Sequence, residues 1–132
     1  MPNNNTIRLQ EVEEICIIDD DYVPRFLAQK IFGYEMPDVP VVDFDGAIAA
    51  LQHLNTAPVK KRLILLDLNM PIHDGWHFVE HYPSVPHQNL LFILSSSDNP
   101  KDRLKLKDYP HVTDFLEKPI TINQLSDLRA KY

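Results

Sequence analysis

Five polar residues of this chain follow short apolar runs and could act together. They are the adjacent acids Asp19 and Asp20, and Asp67, Ser95 and Lys118. Three carboxylates in one crevice repel one another unless a cation or protons compensate them, and an all-oxygen ligand set suits Mg²⁺. A lysine and a hydroxyl beside such an ion would supply the contacts that a phosphoryl group requires. Asp67 could then act as a nucleophile that forms an aspartyl phosphate.

The apolar runs before these residues predict the strands that would position them. The runs at 15–18, 63–66 and 90–94 are continuous, which is typical of strands buried on both faces of a parallel sheet. The run 39–44 contains Pro40, which favours an edge strand or a strand start, and the less apolar run 112–117 predicts a strand at the sheet margin. Ligand crevices in such sheets lie outside the carboxyl ends of the strands, so the polar residues should meet there.

Helical patterns follow the predicted strands. We expect helices over 22–32 and 45–54, from 74 to before Pro83, over 99–108, and a short one that begins with the capping box of Thr121 and Gln124. The predicted caps of the first two helices are Asp21 and Asp45, and Gly33 is the predicted end of the first. The residues predicted to face the core are Val23, Phe26, Leu27, Ile31, Ile48, Leu51, Leu54, Leu104, Tyr109, Leu125 and Leu128. This alternation predicts an α/β fold with a doubly wound, five-stranded parallel sheet and helices on both faces.

The bulk composition excludes several functional classes. A chain of 132 residues suits one domain, and its net charge of −6 with dispersed basic residues argues against nucleic-acid binding. No apolar run approaches the roughly 18 to 20 residues that cross a bilayer, and the N-terminus lacks a signal-peptide pattern. We therefore expect a cytoplasmic protein without a membrane partner. The single cysteine, Cys16, lies in an apolar run and is expected to be a core side chain.

In their order and spacing, these motifs resemble the receiver domain of bacterial two-component response regulators, from about Glu14 to Tyr132. The motifs are Ile18-Asp19-Asp20, Leu66-Asp67-Leu68-Asn69-Met70-Pro71 with Asp74-Gly75, Leu94-Ser95-Ser96, and Phe115-Leu116-Glu117-Lys118-Pro119. The resemblance implies a flavodoxin-like fold with strand order 2-1-3-4-5. It also implies an N-terminal extension over 1–13 and a receiver domain over 14–132.

The resemblance further implies a role for each site residue. The implied Mg²⁺ ligands are Asp19, Asp20, Asp67 and the backbone carbonyl of Asn69. Asp67 would accept a phosphoryl group from a histidine kinase or a histidine phosphotransfer protein. Ser95 would bind a phosphoryl oxygen, Lys118 would pair with the phosphoryl group, and Phe115 would be the aromatic switch. The Lys118–Pro119 peptide is expected to be cis.

The chain departs from the usual receiver pattern in three places. Ser95 stands where Thr is more usual, Phe115 stands where Tyr is frequent, and the segment 109–113 lacks a frequent glycine. In addition, Ser97 offers no carboxylate or amide that could orient an attacking water. This predicts a comparatively long-lived phosphoryl group.

Three alternative functions are weighed against a phosphorylation switch. A docking module without phosphorylation is disfavoured because no site residue is missing. A phosphohydrolase needs an acid two residues after its nucleophile, where this chain has Asn69. A flavin-binding protein should offer hydroxyls and amides after the first strand, where this chain has acids. We therefore expect a phosphoacceptor rather than a turnover enzyme.

The signal of such a receiver would pass to a separate protein. No effector domain follows Tyr132, which predicts a stand-alone receiver. A dimer that forms on phosphorylation is an alternative that the sequence does not decide. Few apolar residues anchor the predicted fourth helix, which suggests that it can move. We expect the face of the fourth and fifth helices and the fifth strand to carry the output.

Overall fold

The computed structural model describes residues 7–70, 75–82, 89–95 and 100–132. Its sheet has five parallel strands in the order β2-β1-β3-β4-β5, which confirms the predicted fold class. The strands are β1 (Glu14–Ile18), β2 (Val41–Phe44), β3 (Arg62–Asp67), β4 (Asn89–Ser95) and β5 (Asp114–Glu117). β2 and β5 lie at the margins, as their sequences predict, while β1 and β3 are buried along their whole lengths.

Five α-helices lie within the described ranges. They are α1 (Tyr22–Glu35), α2 (Ala47–Thr56), α3 (Gly75–His81), α4 (Pro100–Lys105) and α5 (Ile122–Lys131). Short 3-10 turns cover Leu9–Glu11 and Leu106–Asp108, so the predicted fourth helix changes to a tighter turn after Lys105. The predicted capping box of α5 is present, since Thr121 and Gln124 exchange side chain to backbone hydrogen bonds. None of these helices is long and apolar enough to cross a membrane.

The predicted end of α1 and three of the four residues in its predicted buried stripe are wrong. Val23, Phe26 and Leu27 are 58%, 43% and 47% exposed, whereas Ile31 packs against the core as predicted. Ala28 and Phe32 are the buried residues of the helix. Because Ala28 and Phe32 pack into the core beneath this helix, the three larger side chains lie toward solvent. Gly33 does not end the helix, because the helix continues through Glu35. Asp21 does cap α1, as predicted, by accepting a hydrogen bond from the Val23 N–H.

Corrections of the same kind apply to α2 and α4. The cap position of α2 is Gly46 without a side-chain hydrogen bond, so Asp45 is not the cap. Ile48 is largely exposed, whereas Leu51 and Leu54 are buried as predicted. In α4 the predicted anchor Leu104 is 61% exposed, and the contact with the core comes from Leu106 and Tyr109 in the following turn.

Two apolar cores cover the two faces of the sheet. One lies beneath α2 and α3 and includes Cys16, whose burial raises its pKa to about 12, as expected of a core thiol. The other lies beneath α1 and α5. The segment preceding β1 contributes the buried side chains Ile7, Leu9 and Val12 to this second core, although the sequence predicted an extension there.

Candidate functional site

Three carboxylates meet at the carboxyl ends of the adjacent interior strands β1 and β3. Asp19 and Asp20 directly follow β1, and Asp67 is the last residue of the adjacent strand β3. One oxygen from each lies within 4.8 Å of the other two. Asp19 and Asp67 are 2% exposed, whereas Asp20 is open to solvent. The sheet topology therefore brings together the acids that the sequence analysis selected.

Lys118 extends into this acidic cluster from the segment between β5 and α5. Its Nζ lies 2.9 Å from Asp19 Oδ2 and 3.3 Å from Asp67 Oδ2. Burial lowers the pKa of Lys118, but hydrogen bonds to Asp19 and Asp67 and the charges of both acids raise it above the usual value overall. Lys118 is therefore an ammonium ion between two carboxylates. The Lys118–Pro119 peptide is cis, as predicted.

Asp67 has an unusually basic carboxylate. Burial raises its pKa to about 6, and the charge of Asp19 adds to this increase, while the Asn69 N–H and Lys118 oppose it. The Asn69 N–H donates to Asp67 Oδ1 over 3.1 Å, which fixes the orientation of the carboxylate. At neutral pH the group remains mostly ionised, and an ionised carboxylate is the form required of a nucleophile.

Ser95 and Phe115 occupy neighbouring strands beside the acids. Ser95 is the buried last residue of β4, and its carbonyl accepts a hydrogen bond of 2.9 Å from the Lys118 N–H. Phe115 is half-buried on β5, and the Arg103 guanidinium lies 5.5 Å from the centre of its ring. Both residues are near the site in sheet register, but their predicted roles remain predictions.

The donor set fits a hard divalent cation. The ligand atoms that the three acids offer are all carboxylate oxygens. Lys118 is the one cation that the structure shows within ion-pair distance of Asp19 and Asp67, so three acids share a single ammonium group in the described part of the chain. An oxygen-ligated ion such as Mg²⁺ would offset the remaining repulsion between the acids.

Some sequence predictions about this region fall outside the described residues. These are the roles of Pro71 and Asp74 after the Asp67 strand, of Ser96 and Ser97 after β4, and of Asn99 before α4. Gly75, which follows Asp74, is described, and it opens α3 directly against the backbone of Asp67 and Leu68.

Arg25, a residue of α1 that no sequence pattern singles out, contacts the acidic loop. Arg25 Nη1 donates to the Asp19 carbonyl over 2.8 Å, and its Nε donates to Asp43 Oδ2 over 3.1 Å. Arg25 belongs to none of the sequence motifs, and its partner Asp43 lies 18 residues away on β2, so no local pattern links the two. Only the packing of α1 against β2 shows that these side chains meet.

A second group of potential metal ligands lies at the opposite end of β1. Glu14, Cys16 and His53 each place one ligand atom within 4.8 Å of the others. However, Arg62 Nε donates to Glu14 Oε1 over 2.7 Å, and His53 Nε2 lies 3.1 Å from the same oxygen. Glu14 is thus already compensated by a buried guanidinium, and the group is best described as a satisfied ion-pair network.

Comparisons with known proteins show which family the chain resembles. A model of the response regulator receiver domain matches residues 15–129. Response regulator protein GraR of Staphylococcus saprophyticus is 25% identical over 121 residues, which are 90% of this chain and 51% of that protein. GraR of Staphylococcus aureus strain Newman is 24% identical over 119 residues, which are 89% of this chain and 50% of that protein. The chain thus spans about half the length of these curated relatives.

Solved structures agree with the sequence relatives. The crystal structure of a response regulator receiver protein from Dyadobacter fermentans superposes with a TM-score of 0.76 and 30% identity, covering 89% of this chain and 95% of that one. Chemotaxis protein CheY4 of Vibrio cholerae has the same fold, with a TM-score of 0.71 and 19% identity over 91% of this chain and 98% of that one. Because the family model covers most of the sequence and the Dyadobacter receiver is similar over nearly its whole length, the chain belongs to the response regulator receiver domain family.

Proposed function

We propose that this protein is a phosphorylation switch in which Asp67 accepts a phosphoryl group from a histidine kinase or a histidine phosphotransfer protein. The observation that carries the proposal is the convergence of Asp19, Asp20 and Lys118 around the Asp67 carboxylate. Neither a degenerate docking module nor a flavoprotein requires this combination of acids and ammonium.

In the proposed reaction, an Asp67 oxygen attacks the phosphorus atom of a phosphohistidine. The new O–P bond forms as the N–P bond of the donor breaks, and the electron pair of the broken bond remains on the imidazole. Mg²⁺ held by Asp19, Asp20, Asp67 and the Asn69 carbonyl would neutralise phosphoryl oxygens. Lys118 would exchange part of its contact with the acids for a phosphoryl oxygen, and the Ser95 hydroxyl would donate to another.

The surface beside the site suits docking of a phosphodonor protein. Four apolar side chains on the first turns of α1 are 43% to 63% exposed, namely Tyr22, Val23, Phe26 and Leu27. Ile122, at the start of α5, is 52% exposed. Clustered exposed apolar residues commonly mark protein interaction surfaces. A donor bound on this surface would present its phosphohistidine to Asp67.

The output of the switch is proposed to pass through α4, β5 and α5 to a downstream protein. None of the α4 residues is buried, so this helix can be repositioned at low cost. Phosphorylation would draw Ser95 toward the phosphoryl group, Phe115 would fill the vacated space, and the equilibrium of the surface would shift. A phosphorylation-dependent dimer through this face is one form that the output could take.

Phosphorylation by a small donor tests the proposal directly. Incubation with Mg²⁺ and acetyl phosphate should add one phosphoryl group, detected by intact mass spectrometry. Asp67→Asn should abolish the addition, while Asp38→Asn, at an exposed acid between α1 and β2, should leave it unchanged. Phosphorylation of the Asp67→Asn protein would refute the assignment. A wild-type protein that binds Mg²⁺ but is not modified by any phosphodonor would favour the docking module.

A further inference from the structure

The Arg25 side chain joins three segments that surround the acids. It extends from the second turn of α1 and is 15% exposed. Its Nη1 donates to the Asp19 carbonyl over 2.8 Å, while its Nε donates to Asp43 Oδ2 on β2 over 3.1 Å. The planar guanidinium makes both bonds at once, which fixes it more firmly than one bond would.

The bond to the Asp19 carbonyl bears on the adjacent residue, Asp20. The peptide unit that contains this carbonyl also contains the nitrogen and Cα of Asp20, and these atoms are nearly coplanar. No hydrogen bond in the described part of the chain involves the Asp20 carboxylate, so the backbone, through the position of Cα and the direction of the Cα–Cβ bond, is what places this side chain. Asp19, by contrast, is also held through its N–H by Phe44 and through Oδ1 by the Asp21 N–H.

We propose that Arg25 is a positioning residue that fixes the Asp19–Asp20 peptide and thereby aims the Asp20 carboxylate at the metal position. The inference rests on the proposed function, because it takes Asp20 to be a Mg²⁺ ligand. Residues that orient metal ligands typically contribute about 10- to 100-fold to metal affinity. Loss of Arg25 should therefore weaken Mg²⁺ binding without removing a ligand.

The charge of Arg25 would have the opposite effect on Mg²⁺ binding. A cation near the site repels Mg²⁺, so removing Arg25 would strengthen binding if its charge dominated. Asp43 compensates this charge at 3.1 Å. Replacing Arg25 and Asp43 together with neutral residues leaves the net charge of the pair at zero. A change in Mg²⁺ affinity of this double variant therefore reports the positioning effect rather than the charge of Arg25.

The experiment measures Mg²⁺ dissociation constants by calorimetry for the wild type, Arg25→Met, Asp43→Asn and the double variant. Positioning predicts a loss of about tenfold in affinity for Arg25→Met and a similar loss for the double variant. Asp43→Asn alone should lose less Mg²⁺ affinity, because Arg25 can still donate to the Asp19 carbonyl. Unchanged or tighter Mg²⁺ binding by Arg25→Met would overturn the proposal.

A second measurement uses the metal-free protein. Amide hydrogen exchange at residues 20–22 should accelerate in Arg25→Met, while exchange in β3 and β4 stays unchanged. If Arg25→Met fails to fold, Arg25→Lys takes its place in both measurements. A single ammonium group cannot make the two forked contacts of Arg25, so we expect Arg25→Lys to lose part of the Mg²⁺ affinity. Full Mg²⁺ affinity in Arg25→Lys, with unchanged exchange at residues 20–22, would overturn the inference.

Arg129→Met is a matched control. Arg129 lies on α5 and contacts Glu35, the last residue of α1. Arg129 Nη1 donates to Glu35 Oε2 over 2.9 Å, and its Nη2 donates to the Glu35 carbonyl over 2.6 Å. These are the same two kinds of contact, and this variant should bind Mg²⁺ normally. If the wild type itself failed to bind Mg²⁺, the proposed function would fall. Normal wild-type binding with an unaffected Arg25→Met would overturn only the role of Arg25.

Discussion

The Asp67 carboxylate occupies an environment that penalises its charge. Burial and the neighbouring Asp19 raise its pKa to about 6, and the Asn69 N–H and Lys118 offset only part of this effect. A divalent cation bound beside a carboxylate held in this way would lower the free-energy cost of its charge. The cost to the metal-free protein is a loss of folding stability whenever Asp67 is ionised.

Asp67→Asn should stabilise the metal-free protein, and more so at high pH. The folded pKa of about 6 lies above the usual aspartate value of 3.8, so the folded state holds the proton more tightly and wild-type stability falls as pH rises from about 4 to 6. A shift of this size corresponds to about 2–3 kcal/mol above pH 7. Urea unfolding in EDTA at pH 4 and pH 8 measures the difference. A stabilisation that did not depend on pH would contradict this explanation.

At the scale of elements, the first residue of α3 packs closely against the backbone at the end of β3. A Cβ atom at Gly75 would lie 2.8 Å from the Asp67 carbonyl oxygen and 2.8 Å from Leu68 Cα. Both are backbone atoms, which cannot rotate away. The Gly75 N–H also donates to the Leu68 carbonyl over 3.1 Å. The close approach of α3 therefore helps to set the position of the Asp67 backbone.

Gly75→Ala should both destabilise the fold and disturb the site. We expect a loss of about 1–3 kcal/mol from backbone displacement, together with slower phosphorylation by acetyl phosphate. Gly33→Ala is the matched control, because Gly33 lies inside α1 with nothing within 4 Å of its added Cβ. That change should stabilise the protein by about 0.5–1 kcal/mol. Chemical denaturation measures the free energy of unfolding of both variants. If both changes altered it equally, α3 would be able to move away from the end of β3.

At the scale of the whole molecule, the segment before β1 is part of the packed structure. Leu9 is 3% exposed, and its N–H donates to the Tyr132 carbonyl over 3.0 Å. Ile7 and Val12 lie in the same core beneath α1 and α5. The two ends of the described chain therefore stabilise each other, and the family match over 15–129 omits residues that contribute to this core.

Leu9→Ala should be markedly destabilising despite its position outside the matched region. Removal of a buried leucine side chain typically costs about 2–5 kcal/mol. Leu104→Ala, at a leucine that is 61% exposed, should change stability by less than about 0.5 kcal/mol. Thermal and urea unfolding of both variants measures the contrast. A small effect of Leu9→Ala would mean that the segment is only loosely attached.

Much of the fold and the site follows from local sequence patterns. A strand buried on both faces requires a continuous apolar run, and three such runs identified β1, β3 and β4 together with the acids and the serine at their ends. Cap preferences likewise located Asp21 and the capping box of Thr121. These features depend on residues a few positions apart, so the sequence alone determined them.

Contacts between distant residues could not be obtained in this way. The rotation of α1 depends on how Ala28 and Phe32 fit the sheet, and the bridge from Arg25 to Asp43 depends on how α1 packs beside β2. The burial of Leu9 depends on the position of α5. The sequence by itself determined which side chains are the candidates for the proposed chemistry. Only the tertiary structure decided which residues support them, because packing between elements is not encoded in any local period.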